Sequence, residues 1–268
     1  MTAPYAEVIG DPVAHSRSPQ IHRFWLEALG RDGDYRATWV TRAELPAFIA
    51  GRRADPAWRG CNVTMPLKLD ALLLADQRSD RASAAGAANL LFVRDGDLLA
   101  ANTDIGAVAR LLEPLIGATG QVTLLGNGGA ARAVLVALRL LDFDNVRLQA
   151  RDMSEARKLA VEFGTGLAPA PFDSPIASAG LVNATPLGMT GHPPFTLDLS
   201  AMPAGGWVMD MVTDPDPTAL VKDARARGLK TIDGLTLLVE QAASAFELLF
   251  GAKPPRDRDG ELMLALRP

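Results

Sequence analysis

The chain has 268 residues, with 27 Lys and Arg against 31 Asp and Glu, for a formal net charge of −4. That length makes one large domain or two modest ones, and either can bury a core without staples. Mild acidity argues against nucleic-acid binding through a basic face. A single cysteine, Cys61, excludes an internal disulfide, and His15, His22 and His192 have no zinc-ligand spacing.

Tyr5–Ile9 reads as a strand. Ser18 as N-cap and Pro19 at the first helical position then open a helix, in which Ile21, Phe24, Trp25 and Leu29 recur at helical spacing until Gly30. Tyr35–Val40 is a second strand, and Thr41-Arg42-Ala43-Glu44 has the form of a capping box that starts the next helix. Gly60–Thr64 makes a third strand, closed by Pro66. Asn89–Val93 and Leu98–Ala101 form a hairpin joined at Asp95-Gly96. After Asn102 comes the apolar strand Gln121–Leu125, then Gly126-Asn127-Gly128-Gly129-Ala130, an apolar helix over Ala131–Leu141 and a strand at Val146–Ala150. Strands at Leu181–Asn183 and Trp207–Met211, a helix from Thr218 to Gly228 and a long helix over Leu235–Phe250 complete the pattern. Strands alternating with helices predict an α/β fold with mostly parallel sheets. Met1–Gly10 lacks a signal-peptide pattern and no apolar run reaches about 18 residues, so the expectation is a soluble cytoplasmic protein with no membrane partner.

Several segments carry chemistry beside a purely structural reading. The Gly126–Ala130 loop is compatible with a tight strand-to-helix turn. Its place after an apolar strand, opening a helix whose amides face outward, is also that of a pyrophosphate cradle. At the end of the next strand Arg151 suits a 2′-phosphate, whereas Asp152 suits a bare ribose hydroxyl. Ser16 and Ser18 stand just before a helix: capping explains Ser18 and leaves Ser16 idle, while a carboxylate held by both hydroxyls uses each. Asn62 and Thr64 sit at the carboxyl end of a strand, where open α/β sheets bind ligands, and Lys68 lies just beyond as either a solvated helix charge or a catalyst. Asn102-Thr103-Asp104 is compatible with a helix cap near Ile105.

Taken in order, these pieces resemble the shikimate dehydrogenase family. The serine motif is similar to Gly10–His22, and Asn-Val-Thr-x-Pro-x-Lys matches Asn62–Lys68. Gly86–Asn89, Asn102–Asp104, Gly126–Ala130, Asn183–Met189, Asp210-Met211-Val212 and Asp233-Gly234-Leu235 with Gln241 follow at the family's spacings. The resemblance implies a substrate-binding α/β domain over residues 1–103, completed by helices in 236–268, and a Rossmann domain over 104–235. It implies reversible hydride transfer between NADPH and 3-dehydroshikimate, in aromatic amino-acid biosynthesis. Ser16 and Ser18 would bind the substrate carboxylate. Asn62, Thr64, Asn89, Asp104 and Gln241 would hold ring hydroxyls, with Lys68 and Asp104 as the catalytic pair. Gly126, Asn127, Gly128, Gly129, Ala130, Arg151, Thr185, Met211 and Gly234 would hold NADP, and no metal is implied.

Hydride addition to a ketone builds negative charge on oxygen, so a cation that also donates a proton suits Lys68. The partners expected are a small-molecule substrate and, at most, a second copy of the chain, as monomer or homodimer. Four positions depart from the family pattern: Thr213 replaces a Tyr, Leu90 replaces a Thr, and Asp152 with Glu155 stand where the family places help for a phosphate. They keep open a quinate/shikimate enzyme that uses NAD. A non-catalytic ligand sensor on the same fold is disfavoured, because Lys68 and Asp104 are both intact.

Overall fold

The computed structural model describes residues 3–115, 120–164, 166–193 and 195–267. The chain divides into two units, the first made of residues 1–103 and 239–268 and the second of residues 104–238.

The first unit runs β1 (Tyr5–Gly10), α1 (Ser18–Ala28), β2 (Asp34–Trp39), α2 (Leu45–Arg53), β3 (Trp58–Val63), α3 (Lys68–Leu74), β4 (Gln77–Arg78), α4 (Asp80–Ala85), β5 (Leu90–Arg94) and β6 (Asp97–Ala101). These strands make one sheet of order β2-β1-β3-β5-β6-β4, parallel across β2, β1 and β3 and antiparallel at β3–β5 and β5–β6. β1 is buried along its whole length, as a parallel strand covered on both faces must be. Its one charge, Glu7, is fully buried and accepts from Arg52 Nε (2.7 Å), Trp58 Nε1 (2.9 Å) and the Thr38 hydroxyl (2.5 Å). A buried carboxylate is tolerated only with donors of this kind. β5 shows the two faces of the sheet: Leu90 and Phe92 pack with Ala6, Val8, Tyr35 and Leu249, while Leu91 packs with Ile9, Cys61, Val63 and Leu98. Cys61 is a free thiol, fully buried opposite Glu7 on β1, and burial pushes it well above the ordinary thiol value. The β5–β6 turn has left-handed backbone at both Asp95 and Gly96, the geometry of a tight hairpin.

Two expected helix starts differ. α1 begins at Ser18 with Arg17 as its N-cap residue, so Ser18 is helical and does not cap; instead the Ser16 hydroxyl oxygen accepts from the Ser18 N–H at 3.3 Å. α2 begins at Leu45. Glu44 reaches back to the Thr41 N–H (3.0 Å) and hydroxyl (2.7 Å), but Thr41 makes no reciprocal side-chain cap, so the pair closes a turn ahead of the helix.

The second unit runs α5 (Thr103–Leu112), whose first residue is the last of the first unit, then β7 (Val122–Leu125), α6 (Gly129–Leu140), β8 (Val146–Ala150), α7 (Met153–Phe163), β9 (Leu167–Pro171), β10 (Gly180–Asn183), β11 (Trp207–Asp210), α8 (Ala219–Ala226) and β12 (Lys230–Ile232). All six strands are parallel, in the order β12-β11-β10-β7-β8-β9. Read from the other edge, that is the 3-2-1-4-5-6 order of a doubly wound sheet, whose switch point lies between β7 and β10. β8 falls where its alternation predicts, and α6 starts two residues earlier than expected. α7 has no counterpart among the predicted elements, because Asp152 and Glu155 read as cofactor-facing charges; Asp152 in fact is its N-cap. α9 (Gly234–Phe250) supplies residues to both units, and α10 (Asp259–Leu266) follows in the first. No helix among the described residues is long and apolar enough to cross a membrane.

Candidate active site

In the first unit the loops after β1 and β3 lie side by side. Thr64 N–H donates to Ile9 O at 2.9 Å and Asp11 N–H to Met65 O at 3.1 Å, and a Cβ on Gly10 would overlap the Thr64 methyl. The serine loop therefore needs glycine at position 10 to approach Thr64. Ser16 and Thr64 are half-buried, and Ser18 is buried.

A second group gathers around Asn89, at the entrance to β5. Its Oδ1 accepts from the Thr103 N–H (2.7 Å), and its Nδ2 donates to the Thr103 hydroxyl oxygen (2.9 Å) and lies 3.4 Å from Gln241 Oε1. The Thr103 hydroxyl donates to Gln241 Oε1 at 3.1 Å. The backbone of Asn89 is tied in as well: its carbonyl accepts from Val63 N–H (2.8 Å) and Asn62 Nδ2 (3.3 Å). Lys68, the first residue of α3, accepts through its carbonyl from Ala88 N–H at 2.8 Å. Asn62, Asn89, Thr103 and Gln241 are thus brought together as one buried network of neutral amides and hydroxyls, with Lys68 on the adjoining turn. Asp104 is buried and follows Thr103 directly. Asn102 does not cap α5: its Nδ2 donates to Ala87 O at 2.9 Å, which pins the Gly86–Asn89 segment instead. Leu90 faces the apolar core and is fully buried there.

In the second unit the candidate cofactor residues cluster at the carboxyl ends of β7, β10 and β11. Gly126 has φ +101°, and a Cβ there would press on Thr185 Cγ2 at 3.0 Å and Ala184 O at 3.1 Å. Gly128 is the N-cap residue of α6 and leaves its N–H groups without a side-chain cap, while a Cβ on Gly128 would meet open space. Uncapped amides at a glycine loop on the switch point are donors for an anion, so these residues fit a dinucleotide pyrophosphate. Met211 N–H donates to Asn183 O at 3.0 Å, and Gly234 packs so closely on the Met211–Val212 backbone that a Cβ would overlap it.

Beneath this loop cluster lies a carboxylate. Asp210 accepts from Asn183 Nδ2 (2.9 Å), Val212 N–H (3.2 Å) and the Thr218 hydroxyl (2.6 Å). Burial raises its pKa, and these three donors oppose the rise. Asn183 Oδ1 in turn accepts from the N–H (3.1 Å) and hydroxyl (2.7 Å) of Thr185. Asp210, Thr103 and Tyr35 have no assigned role in the sequence reading; each is recognised only through a partner distant in the chain.

The adenosine end differs from expectation. Arg151 is exposed, but Asp152 accepts from Ser154 N–H (2.9 Å) and Glu155 N–H (3.1 Å) at the start of α7, and Glu155 pairs with Lys158 at 2.6 Å. Neither acid stands as an unengaged charge against a phosphate. Among the described residues no group of three or more His, Cys, Asp or Glu could hold a metal.

A glycine loop at the switch point of a doubly wound sheet, in one chain with a separate α/β unit that gathers amides, hydroxyls and a lysine, defines a two-unit dinucleotide-binding α/β protein. Comparison with known proteins narrows the class. Residues 8–91 match the shikimate dehydrogenase substrate binding domain, and residues 234–258 match the shikimate 5′-dehydrogenase C-terminal domain. A shikimate dehydrogenase (NADP(+)) of Sphingopyxis alaskensis is 47% identical over 98% of this chain and 97% of its own. The Thermus thermophilus shikimate 5-dehydrogenase structure with NADP(H) and shikimate is 36% identical, covers 98% of this chain and 99% of its own, and has a TM-score of 0.86. A quinate dehydrogenase from Corynebacterium glutamicum in complex with NAD is 30% identical, covers 98% and 99%, and has a TM-score of 0.85. The chain belongs to the shikimate dehydrogenase family.

Proposed function

We propose that the chain catalyses the reversible, NADP-dependent interconversion of 3-dehydroshikimate and shikimate. Near-full-length identity of 47% to an NADP-dependent shikimate dehydrogenase is the observation that carries this reading. The NADP preference is supported at the adenosine end, where Arg151 is exposed and Asp152 is turned into the α7 cap.

NADPH, when bound, supplies the hydride. Gly126, Asn127, Gly128, Gly129 and Ala130 would hold its pyrophosphate and Arg151 its 2′-phosphate, with Thr185, Met211 and Gly234 as further cofactor-binding residues. Ser16 and Ser18 bind the substrate carboxylate; Asn62, Thr64, Asn89 and Gln241 take the ring hydroxyls. Lys68 neutralises the charge that develops on the carbonyl oxygen and delivers a proton to it, with Asp104 as its acidic partner. This reading carries a small-molecule substrate, no nucleic acid, and a monomer or homodimer in the cytoplasm.

The test is a four-way assay of shikimate and quinate against NADP⁺ and NAD⁺, repeated with Lys68→Ala. The expected result is fastest turnover with shikimate and NADP⁺, and a loss of about a thousandfold in kcat for the variant, with KM for shikimate little changed. Preference for quinate and NAD⁺ would redirect the substrate assignment, and near-normal turnover of Lys68→Ala would sink the catalytic one.

A further inference from the structure

Tyr35 is a fully buried phenol whose single hydrogen-bond partner among the described residues is the candidate substrate ligand Asn62, with Oδ1 2.7 Å from its hydroxyl. The two side chains come from β2 and β3, which flank β1, so the tyrosine ring spans the central strand to make this bond. The neighbour in register on β1 is Ala6, small enough to lie under the ring.

The direction of the bond follows from what surrounds the amide. Asn62 Nδ2 lies 3.3 Å from Asn89 O, and a backbone carbonyl only accepts. The amide nitrogen therefore belongs on the Asn89 side and Oδ1 on the phenol side, where Tyr35 donates. The phenol is held in turn from its face. The His22 ring stacks on the Tyr35 ring at a centroid distance of 4.0 Å and an interplanar angle of 4°. Neither His22 nitrogen has a hydrogen-bond partner among the described residues, so His22 does not compete for the hydroxyl. Burial also pushes Tyr35 well above the ordinary phenol value, which keeps the donated proton in place.

We propose that Tyr35 is a positioning residue for substrate recognition: its O–H fixes the Asn62 amide so that position 62 presents an N–H, and not a carbonyl oxygen, to a ring hydroxyl of the ligand. This inference rests on the reading that Asn62 contacts the substrate. Without the phenol, the Asn62 amide is held only through Nδ2 on Asn89 O among the described residues. It then swings about that bond, and its second N–H no longer points at the ligand hydroxyl.

Tyr35→Phe keeps the ring against His22 and removes only the donor. Steady-state kinetics of the full-length protein should show KM for shikimate raised about tenfold, with KM for NADP⁺ unchanged and kcat within about twofold, as for one lost hydrogen bond. Asn62→Ala should move the same parameter, and the double variant should be no worse than Asn62→Ala alone. If Asn62→Ala raises KM for shikimate while Tyr35→Phe leaves it unmoved, the positioning role is wrong and the site reading stands. If Asn62→Ala leaves KM unmoved, the site reading fails and the inference with it. Rises in both KM values, or additive effects in the double variant, mark a merely structural tyrosine and overturn the proposal. Should Tyr35→Phe fail to fold, Asn62→Asp decides: it keeps an acceptor for the phenol but offers no N–H, and an unchanged KM for shikimate refutes the inference.

Discussion

Each unit keeps a buried polar network at the carboxyl ends of its central strands, and the two are built from opposite materials. In the first unit Asn62, Asn89, Thr103 and Gln241 are all neutral, and each side chain carries both a donor and an acceptor. Beside it, stacked on Tyr35, the His22 ring is packed among Trp25, Phe246 and Phe250, and burial lowers its pKa to about 3. In the second unit the network closes on a carboxylate, Asp210, with three donors converging on it. Amides and hydroxyls suit the neutral ring hydroxyls of the substrate proposed above, because they retain donors and acceptors of both kinds. A carboxylate accepts only, so it suits the task of locking loops, here those after β10 and β11. The pH linkages follow with opposite signs. Between pH 6.5 and 3 the unfolded chain binds a proton that folded His22 refuses, so this contribution is complete above 6.5 and fades as pH falls. Asp210 has a raised pKa, so the folded chain holds the extra proton, and its contribution is lost as pH rises through the window above the ordinary carboxylate value.

The sharpest break in this comparison is Asp210→Leu, which leaves Asn183 Nδ2, Val212 N–H and the Thr218 hydroxyl without their acceptor. Denaturant unfolding should show a loss of about 3 kcal/mol, with KM for NADP⁺ raised. Asp210→Asn should fall within about 1 kcal/mol of the parent, since the Thr218 hydroxyl can turn to accept from the new amide. Equal losses for the two variants would mean that the second network depends on the charge itself. His22→Phe keeps the stack on Tyr35 and removes the titration. Lowering the pH from 6.5 to 5 should then cost the variant about 2 kcal/mol less than the parent protein. Parallel stability–pH curves for the two would show that another group governs the acid response of the first unit. The smallest effect belongs to Asp152→Ala, which removes the α7 cap at about 1 kcal/mol and leaves the ratio of NADPH to NADH affinity unchanged. A clear gain in NADPH affinity would return Asp152 to the role of an opposing charge.

Much of this architecture is legible in the sequence because it depends on local pattern. The alternation at Val146–Ala150, the Asp95-Gly96 turn and the apolar strand entering Gly126 each specify their element with neighbours close in the chain. The Asp152-Met-Ser-Glu155 stretch carries the form of a helix start, but a strand end next to an arginine drew the cofactor reading instead. Ser18 illustrates the reverse error: a serine before Pro19 has the sequence of a cap, yet the helix takes Ser18 in and starts from Arg17. The networks themselves are not legible, since Tyr35 and Asn62 are 27 residues apart, and Asn89 and Gln241 are 152 apart. Nothing in a strand's alternation states which buried phenol meets which amide.

Cys61 is the one thiol in the chain, sealed in the first unit's core beside Glu7 with its ionisation suppressed. A maleimide or methanethiosulfonate reagent therefore finds no thiolate on the folded parent protein. A cysteine introduced at exposed Arg151 or Leu73 becomes a unique attachment point for a fluorophore or spin label, with no native residue to remove first. The parent protein is its own blank for such labelling, and any reaction at Cys61 reports the fraction of molecules that have opened that core.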